Sequence, residues 1–272
     1  MNKLLTVLMV QCQTPELTKI CLRLLNLHTD LSLIEIIVVD NHSGDESVDY
    51  LRKLPFIRLI ERPATGAESA AESFGRALDL GLAEVTTPLV MIIHSDTLVM
   101  SDAWFEAFTA PFEKDRKLAG LGGWKLKPVT PLKRLGKSVE DAFRAYVMAP
   151  LRGRKWGERP VRHKDHYYLR SHCAVFRTEL LRQCTTGFAG GGAVGQSVSR
   201  ELAAAGYKLR FLPPKEMSRY ICHLSYGTGI QHAEAASGES PVAMRRLRRQ
   251  MARLHCREIL ADDRLDIPGS MR

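Results

Sequence analysis

Three short stretches of this sequence place polar, chemically able side chains directly after apolar runs. His94-Ser95-Asp96 follows the run 89–93 and sets an imidazole two residues from a carboxylate. Such a pair suits a divalent cation. Mg2+ prefers oxygen donors and Mn2+ tolerates imidazole better, so either ion is a candidate. The alternative is that His94 caps a strand and Asp96 the turn after it. Asp40 follows the run 34–39, where a carboxylate can accept a hydrogen bond from the ring N–H of a pyrimidine. An Asx turn assisted by Asn41 and Ser43 competes with that reading. Gln11 and Gln13 come directly after the run 4–10. A fourth position, His223, ends a short apolar run before Ser225-Tyr226-Gly227-Thr228-Gly229, whose glycines would let a loop close over a ligand. A packed core histidine is the other reading.

These positions are useful only if strand ends bring them together, and the surrounding pattern predicts that they do. Residues 4–10 read as a buried first strand. Thr14-Pro15-Glu16 then supplies an N-cap, a first-turn proline and an acid at the positive helix end. Leu17, Ile20, Cys21, Leu24 and Leu25 mark one helix face. The continuous apolar run 34–39 suits a strand covered on both faces. Ser43-x-x-Glu46 reads as a capping box opening a helix to residue 54. Strands are expected at 56–60 and 89–93, with a helix marked by Ala67, Ala70, Ala71, Phe74, Ala77 and Leu78 between them. Alternating strands and helices argue for a parallel α/β sheet, which binds ligands at the carboxyl ends of its strands. Further on, 169–177, 209–212 and 220–223 read as strands, and 196–205 as a helix stopped by Gly206. A last helix is expected over 241–260, followed by a loose tail.

With the order and spacing in place, the string LLTVLMVQCQTPELTKICLRLL…IEIIVVDNHSGDES resembles the opening of inverting family-two glycosyltransferases of the GT-A fold. The likeness continues through GAESAAESFGRAL, LVMIIHSDT, CAVFRTELL, AGYKLRFLP and YICHLSYGTG, over roughly residues 4–229. It implies a Rossmann-type, mostly parallel central sheet flanked by helices, with a C-terminal amphipathic helix. The implied organisation is a GT-A-like domain over 1–240, made of a nucleotide-sugar-binding half (1–124) and an acceptor half (125–240), followed by a basic helix and tail (241–272). The implied donor is a nucleoside diphosphate sugar, UDP- or dTDP-linked, and the acceptor a glycan or glycolipid. By the resemblance, Asp40 holds the base, Asp96 contacts the metal with His94 and His223 assisting, and Gln11, Gln13, Glu72 and Ser95 belong to the donor site. The implied setting is bacterial surface polysaccharide synthesis in the cytoplasm, at the inner face of the membrane.

Departures from the family pattern matter as much. His94 replaces the first carboxylate of a D-x-D site. Glu72 and Ser73 stand where many relatives have arginine and asparagine. The usual E-D pair falls near Val194-Gly195-Gln196, where no carboxylate exists. Inverting transfer needs a base for the acceptor hydroxyl. His172, in Ser171-His172-Cys173, is the first candidate, with Asp165 and Glu201 behind it, and a packed structural histidine is the alternative. Trp124 fits a sugar-stacking surface or a core aromatic. Two rival classes stay open: a nucleotide-sugar-binding assembly partner that has lost turnover, and a sugar nucleotidyltransferase. The lack of a glycine-rich, basic triphosphate loop near residue 1 argues against the second.

Charge narrows the partners. The formal net charge is +9. Residues 125–170 hold thirteen Lys or Arg against four acids, so the whole excess sits in that stretch. Residues 244–258 add six arginines around an apolar stripe of Met244, Leu247, Met251 and Leu254. An anionic membrane surface or glycolipid fits this pattern, as does a helix packed on its own domain with a solvated basic face. Nucleic acid is not expected, because no helix-turn-helix, RNA-binding or zinc-finger pattern occurs. The six cysteines form no C-x-x-C pair and read as thiols in a reducing compartment.

Overall fold

The computed structural model describes residues 3–64, 66, 68–124, 168–190, 193–224 and 241–269. Most of the basic stretch 125–170, the Ser225–Gly229 loop, Gly191, Gly192, Ala67 and Asp165 lie outside them. The chain runs β1 (Leu5–Gln11), α1 (Pro15–Leu27), β2 (Ile34–Asn41), α2 (Glu46–Lys53), β3 (Arg58–Arg62), α3 (Ala70–Ala83) and β4 (Leu89–His94). Next come β5 (Thr97–Val99), α4 (Trp104–Lys114) and β6 (Leu118–Gly122). Past residue 167 follow β7 (Cys173–Arg177), α5 (Thr178–Cys184), α6 (Gln196–Ala204), β8 (Lys208–Phe211), α7 (Pro214–Met217) and β9 (Ile221–His223). The remainder is α8 (Pro241–Arg253), α9 (Cys256–Ala261) and a 3-10 turn at Asp263–Asp266.

Seven strands form one sheet in the order β3-β2-β1-β4-β7-β6-β8. The first four are mutually parallel, β7 runs antiparallel to both neighbours, and β8 is again parallel to β6. This is the expected mostly parallel α/β sheet. Both faces are covered, which is why β1, β2 and β4 are apolar almost throughout. Leu5, Val7, Met9, Ile36 and Val38 face α1, α4 and the C-terminal helices. Leu8, Val10, Ile37 and Val39 face α3, α5 and α6. The alternation is the period-two geometry of a strand written into two separate cores.

Several local expectations are corrected. Thr14 precedes α1 but makes no capping bond; its hydroxyl lies 3.2 Å from Ser95 Oγ instead. The capping residue of α2 is Asp45, which accepts from Ser47 N, so Ser43 is released for other work. The third strand begins two residues later than read. The strand expected over 169–177 covers only its second half. The last helix breaks at His255, whose φ of +53° starts α9 in a new direction.

The expected loose tail is pinned. Arg23, fully buried on α1, donates to Asp266 Oδ1 (2.8 Å) and Oδ2 (2.5 Å) and to Asp263 Oδ1 (2.6 Å). It also caps the end of α9 through Ile259 O and Leu260 O, both at 2.8 Å. Burial alone would lower the guanidinium pKa, but the two carboxylates raise it above its ordinary value. Asn26 donates to Leu265 O and Ile267 O, and Leu265 is buried.

Candidate functional site

Strand register builds the site. Along the parallel ladders Gln11 pairs with Asp40 and Val10 with His94, so the polar residues ending β1, β2 and β4 share one edge of the sheet. The antiparallel ladder of β4 with β7 ends at Ile93–Cys173, which puts His172 beside His94 one step further on. A separate two-stranded sheet pairs Thr97 with His223, and Leu224 N donates to Asp96 O at 2.8 Å. That short ladder delivers His223 to Asp96 from a distant part of the chain.

At the β1–β2 end, Asp40 is 4% exposed and firmly held. Its Oδ1 accepts from Gln11 Nε2 and from Ser43 Oγ, and its Oδ2 accepts from Ser43 N at 3.2 Å. The Asx-type turn exists, and beside it lies an open groove of about 520 Å3. Asp40, His42, Gly44, Asp45, Asp49 and Arg62 are among its lining residues. Gln11 is 1% exposed, and its Nε2 also lies 2.8 Å from Ser43 Oγ and 2.7 Å from Ser47 Oγ. It positions Asp40 from beneath. Gln13 is exposed, with a φ of +49°, and ties the two loops together through Ser43 Oγ (3.0 Å) and Ser43 O (3.2 Å).

Around β4, Asp96 is 1% exposed. His223 Nε2 stands 3.4 Å from its Oδ1 and His94 Nδ1 stands 4.0 Å from the same oxygen. His94 Nε2 meets Ser171 Oγ at 3.1 Å, and its ring sits edge-on to Phe74. His172 completes a row of three imidazoles, its ring centroid 5.3 Å from that of His223 and 6.2 Å from that of His94. Its Nε2 is buried and makes no hydrogen bond among the described residues. Burial pushes the His94 pKa down to about 4, with His223 adding to the effect and Asp96 opposing it. Burial, then His94, His223 and Arg170, push His172 to about 2. Cys21 lies under the site, its thiol raised to about 12 by burial and then by Asp96.

The other sequence candidates fall elsewhere. Glu72 pairs with Arg76 (2.7 Å) within α3. Glu201 accepts from Thr186 N (2.6 Å) and Thr186 Oγ1 (2.8 Å), holding the loop between α5 and α6. Trp124 is half-buried just past β6. Two features were missed. Arg62, at the end of β3, joins Asn41 Oδ1 (2.7 Å), Ser73 Oγ (3.1 Å) and Glu68 (2.8 Å to each oxygen), forming a buried wall beside Asp40. A strand over 56–60 ends two residues before Arg62, whereas β3 reaches it. Asp79 accepts from Phe188 N (2.7 Å) and Ala189 N (3.0 Å), fastening the glycine-rich loop to α3; burial raises its pKa against the pull of those bonds.

The residues present suit a divalent cation in donor chemistry, offering one carboxylate and imidazoles on one side of it. Among the described residues no three such side chains already stand in ligating geometry.

Residues 6–185 match the model of glycosyl transferase family 2, and the chain belongs to that family. Its fold is similar to that of a mannosyltransferase from Pyrobaculum calidifontis solved with GDP-Man and Mn2+ (TM-score 0.56, 16% identity, 98% of this chain and 72% of that one). It is also similar to S. aureus TarS 1-349 (0.54, 15%, 95% and 69%) and to the same protein with UDP-GlcNAc (0.55, 14%, 95% and 70%). A search of curated proteins finds no match.

Proposed function

We propose that this protein transfers a sugar, with inversion, from a UDP- or dTDP-linked donor to a glycan or lipid-linked acceptor. The observation that carries the reading is the presence of Asp40 and Asp96 at the same edge of the sheet, after β2 and β4, the first held by Gln11 and the second flanked by His94 and His223. Asp40 Oδ2 would accept the ring N–H of uracil or thymine. Asp96 and His223, with His94 beside them, would hold Mn2+ or Mg2+, which would stabilise the departing diphosphate. Ser95, tied to Thr14, would set the β4 turn against the start of α1.

One observation favours a second reading, a nucleotide-sugar-binding protein without turnover. The described part of the loop 187–195 holds no carboxylate, and the nearby acids are committed: Asp79 accepts from Phe188 N and Ala189 N, and Glu201 from Thr186 just before the loop. A panel of UDP-, dTDP-, GDP- and CMP-sugars separates the readings by thermal shift with and without Mn2+, followed by donor hydrolysis. Transfer predicts Mn2+-dependent stabilisation by UDP- or dTDP-sugars, lost in Asp96→Ala, together with measurable hydrolysis. Tight binding without hydrolysis or transfer establishes the second reading. Binding of none, or metal dependence surviving in Asp96→Ala, overturns the site.

The setting we propose is bacterial surface polysaccharide synthesis in the cytoplasm, at an anionic membrane face. Arg245, Arg246, Arg248, Arg249 and Arg253 on α8, with Arg257 on α9, are exposed and meet no carboxylate among the described residues, which supports that setting. No helix among the described residues is long and apolar enough to cross a membrane.

A further inference from the structure

We propose that Gln250 is a positioning residue for His223, and that through it the donor site responds to an anionic phospholipid surface held by the outer face of α8. The proposal rests on the donor-site reading above and adds the regulation of that site.

His223 is carried by β9, a strand of three residues, and among the described residues β9 pairs only with the equally short β5. Just past its end, Leu224 N donates to Asp96 O at 2.8 Å. Gln250 grips the same strand from α8. Its Nε2 donates to His223 O at 2.9 Å and lies 3.7 Å from Cys222 Sγ. His223 Nε2 in turn stands 3.4 Å from Asp96 Oδ1, so a continuous line of contacts runs from α8 to the carboxylate after β4.

The helix at the other end of that line is opposed by its own charges. Met244, Leu247, Met251 and Leu254 pack inward on the core, whereas Arg245, Arg246, Arg248, Arg249 and Arg253 are exposed. The pairs 245–248, 246–249, 245–249 and 249–253 stand at i,i+3 or i,i+4, where like charges destabilise a helix. No acid occurs within Pro241–Arg253 to offset them, and none sits in the first turn, where it would complement the helix dipole. Arg245, Arg248 and Arg249 line an open groove of about 490 Å3, room for a lipid phosphate between guanidinium groups. A surface of lipid phosphates meets all five arginines only while they are gathered on one helical face. It therefore binds the seated helix more tightly than a loosened one, and such differential affinity is what shifts an equilibrium between two states. Seating α8 keeps Gln250 on His223 O, and His223 beside Asp96.

The test follows hydrogen exchange and UDP binding of the full chain with phosphatidylcholine vesicles, with and without phosphatidylglycerol. Anionic vesicles are expected to slow exchange over 221–224 and to tighten UDP binding by at least about fivefold, a modest coupling between sites. Gln250→Met keeps the length of the side chain and removes the donor. It should bind anionic vesicles and melt as the wild type does, yet lose both responses. Gln250→Lys, which restores an N–H donor, should recover them in part. Arg245→Gln combined with Arg249→Gln removes all the repulsive pairs. Without vesicles this variant should bind UDP more tightly than the wild type, and vesicles should add little. Responses that survive in Gln250→Met overturn the inference, as do anionic vesicles that leave the wild-type chain unbound or both readouts unchanged. If Gln250→Met fails to fold, a double arginine variant that binds UDP no more tightly than wild type overturns it instead. An equal response to polyphosphate or single-stranded DNA overturns the lipid surface as the partner. Slowed exchange that depends on Gln250, in a chain that binds no UDP, sustains the coupling while removing the donor reading.

Discussion

Gln11 has an influence out of proportion to its exposure. Buried under Asp40, it donates to a carboxylate that would otherwise rely on Ser43 alone. A hydrogen bond to a charged group contributes about 1.5–3 kcal/mol, and its loss leaves the acceptor buried. Gln11→Leu should therefore lower stability by about that amount in urea denaturation. It should also weaken UDP binding, measured by calorimetry, because Asp40 is no longer aimed. Gln13→Ala removes an exposed side chain and should change stability by less than about 0.5 kcal/mol. Equal effects of the two substitutions would show that Gln11 does not orient Asp40. Asp40, Asp96 and His94 were legible from their place after apolar runs. The use of Ser43 was not, because Ser43-x-x-Glu46 satisfies the capping-box pattern while Asp45, one residue before the helix, takes the cap. Local pattern could not decide between two oxygens so close to the same helix start.

Among the elements, α3 and the loop after α5 are fitted to each other more closely than composition indicated. A Cβ on Gly75 would sit 2.7 Å from Phe188 O and 2.8 Å from Ala189 Cα, both backbone atoms. Helix propensity favours Gly75→Ala by about 1 kcal/mol. Overpacking against fixed backbone costs about 1–3 kcal/mol. The clash should win, giving a net loss of up to about 2 kcal/mol in thermal melts and faster hydrogen exchange at residues 187–190. A stabilised Gly75→Ala would mean that the loop yields freely. The element order, the parallel half of the sheet and the buried face of α1 were readable, since period and burial follow from sequence directly. The antiparallel insertion of β7 between β4 and β6 was not, since nothing local in CAVFR sets the direction of its neighbours. That insertion is what brings His172 to His94.

For the molecule as a whole, the C-terminal residues belong to the core rather than trailing from it. Leu247 and Cys256 sit in the same apolar cluster as α1 and β1, and Gln250 Nε2 donates to His223 O at 2.9 Å. The inward apolar stripe of α8 leaves its arginines facing out. Changing Arg245, Arg246, Arg248 and Arg249 to Gln should therefore leave folding intact. Affinity for vesicles containing anionic phospholipid, read by sedimentation, should fall by up to about a thousandfold, at about 1 kcal/mol for each of the four arginines near the surface. Wild-type binding to purely zwitterionic vesicles at the same strength would refute an electrostatic surface role.

Arg23 joins the two ends of the fold, and Arg23→Met should cost about 3 kcal/mol, with loss of exchange protection over 256–267. Part of that link is acid-sensitive. The hydrogen bond from Arg23, then the charge of Lys19, hold the Asp263 pKa below its ordinary value. Its contribution is full above the unfolded value of about 3.9 and disappears as pH falls through the folded one. Protection over 259–266 should fade below about pH 4 before the β1–β2 core does.

The Arg23 contacts also bear on the order of synthesis. Ile259 lies 236 residues beyond Arg23. On a translating ribosome the strands β1 to β4 emerge early, yet the guanidinium at the heart of α1 must stay in water or find interim partners until that carbonyl appears. Chains released before residue 259 would carry a complete β1–β4 sheet over a cation with no acceptors. They should be recognised by quality-control proteases, although every residue at the polar edge of the sheet is present.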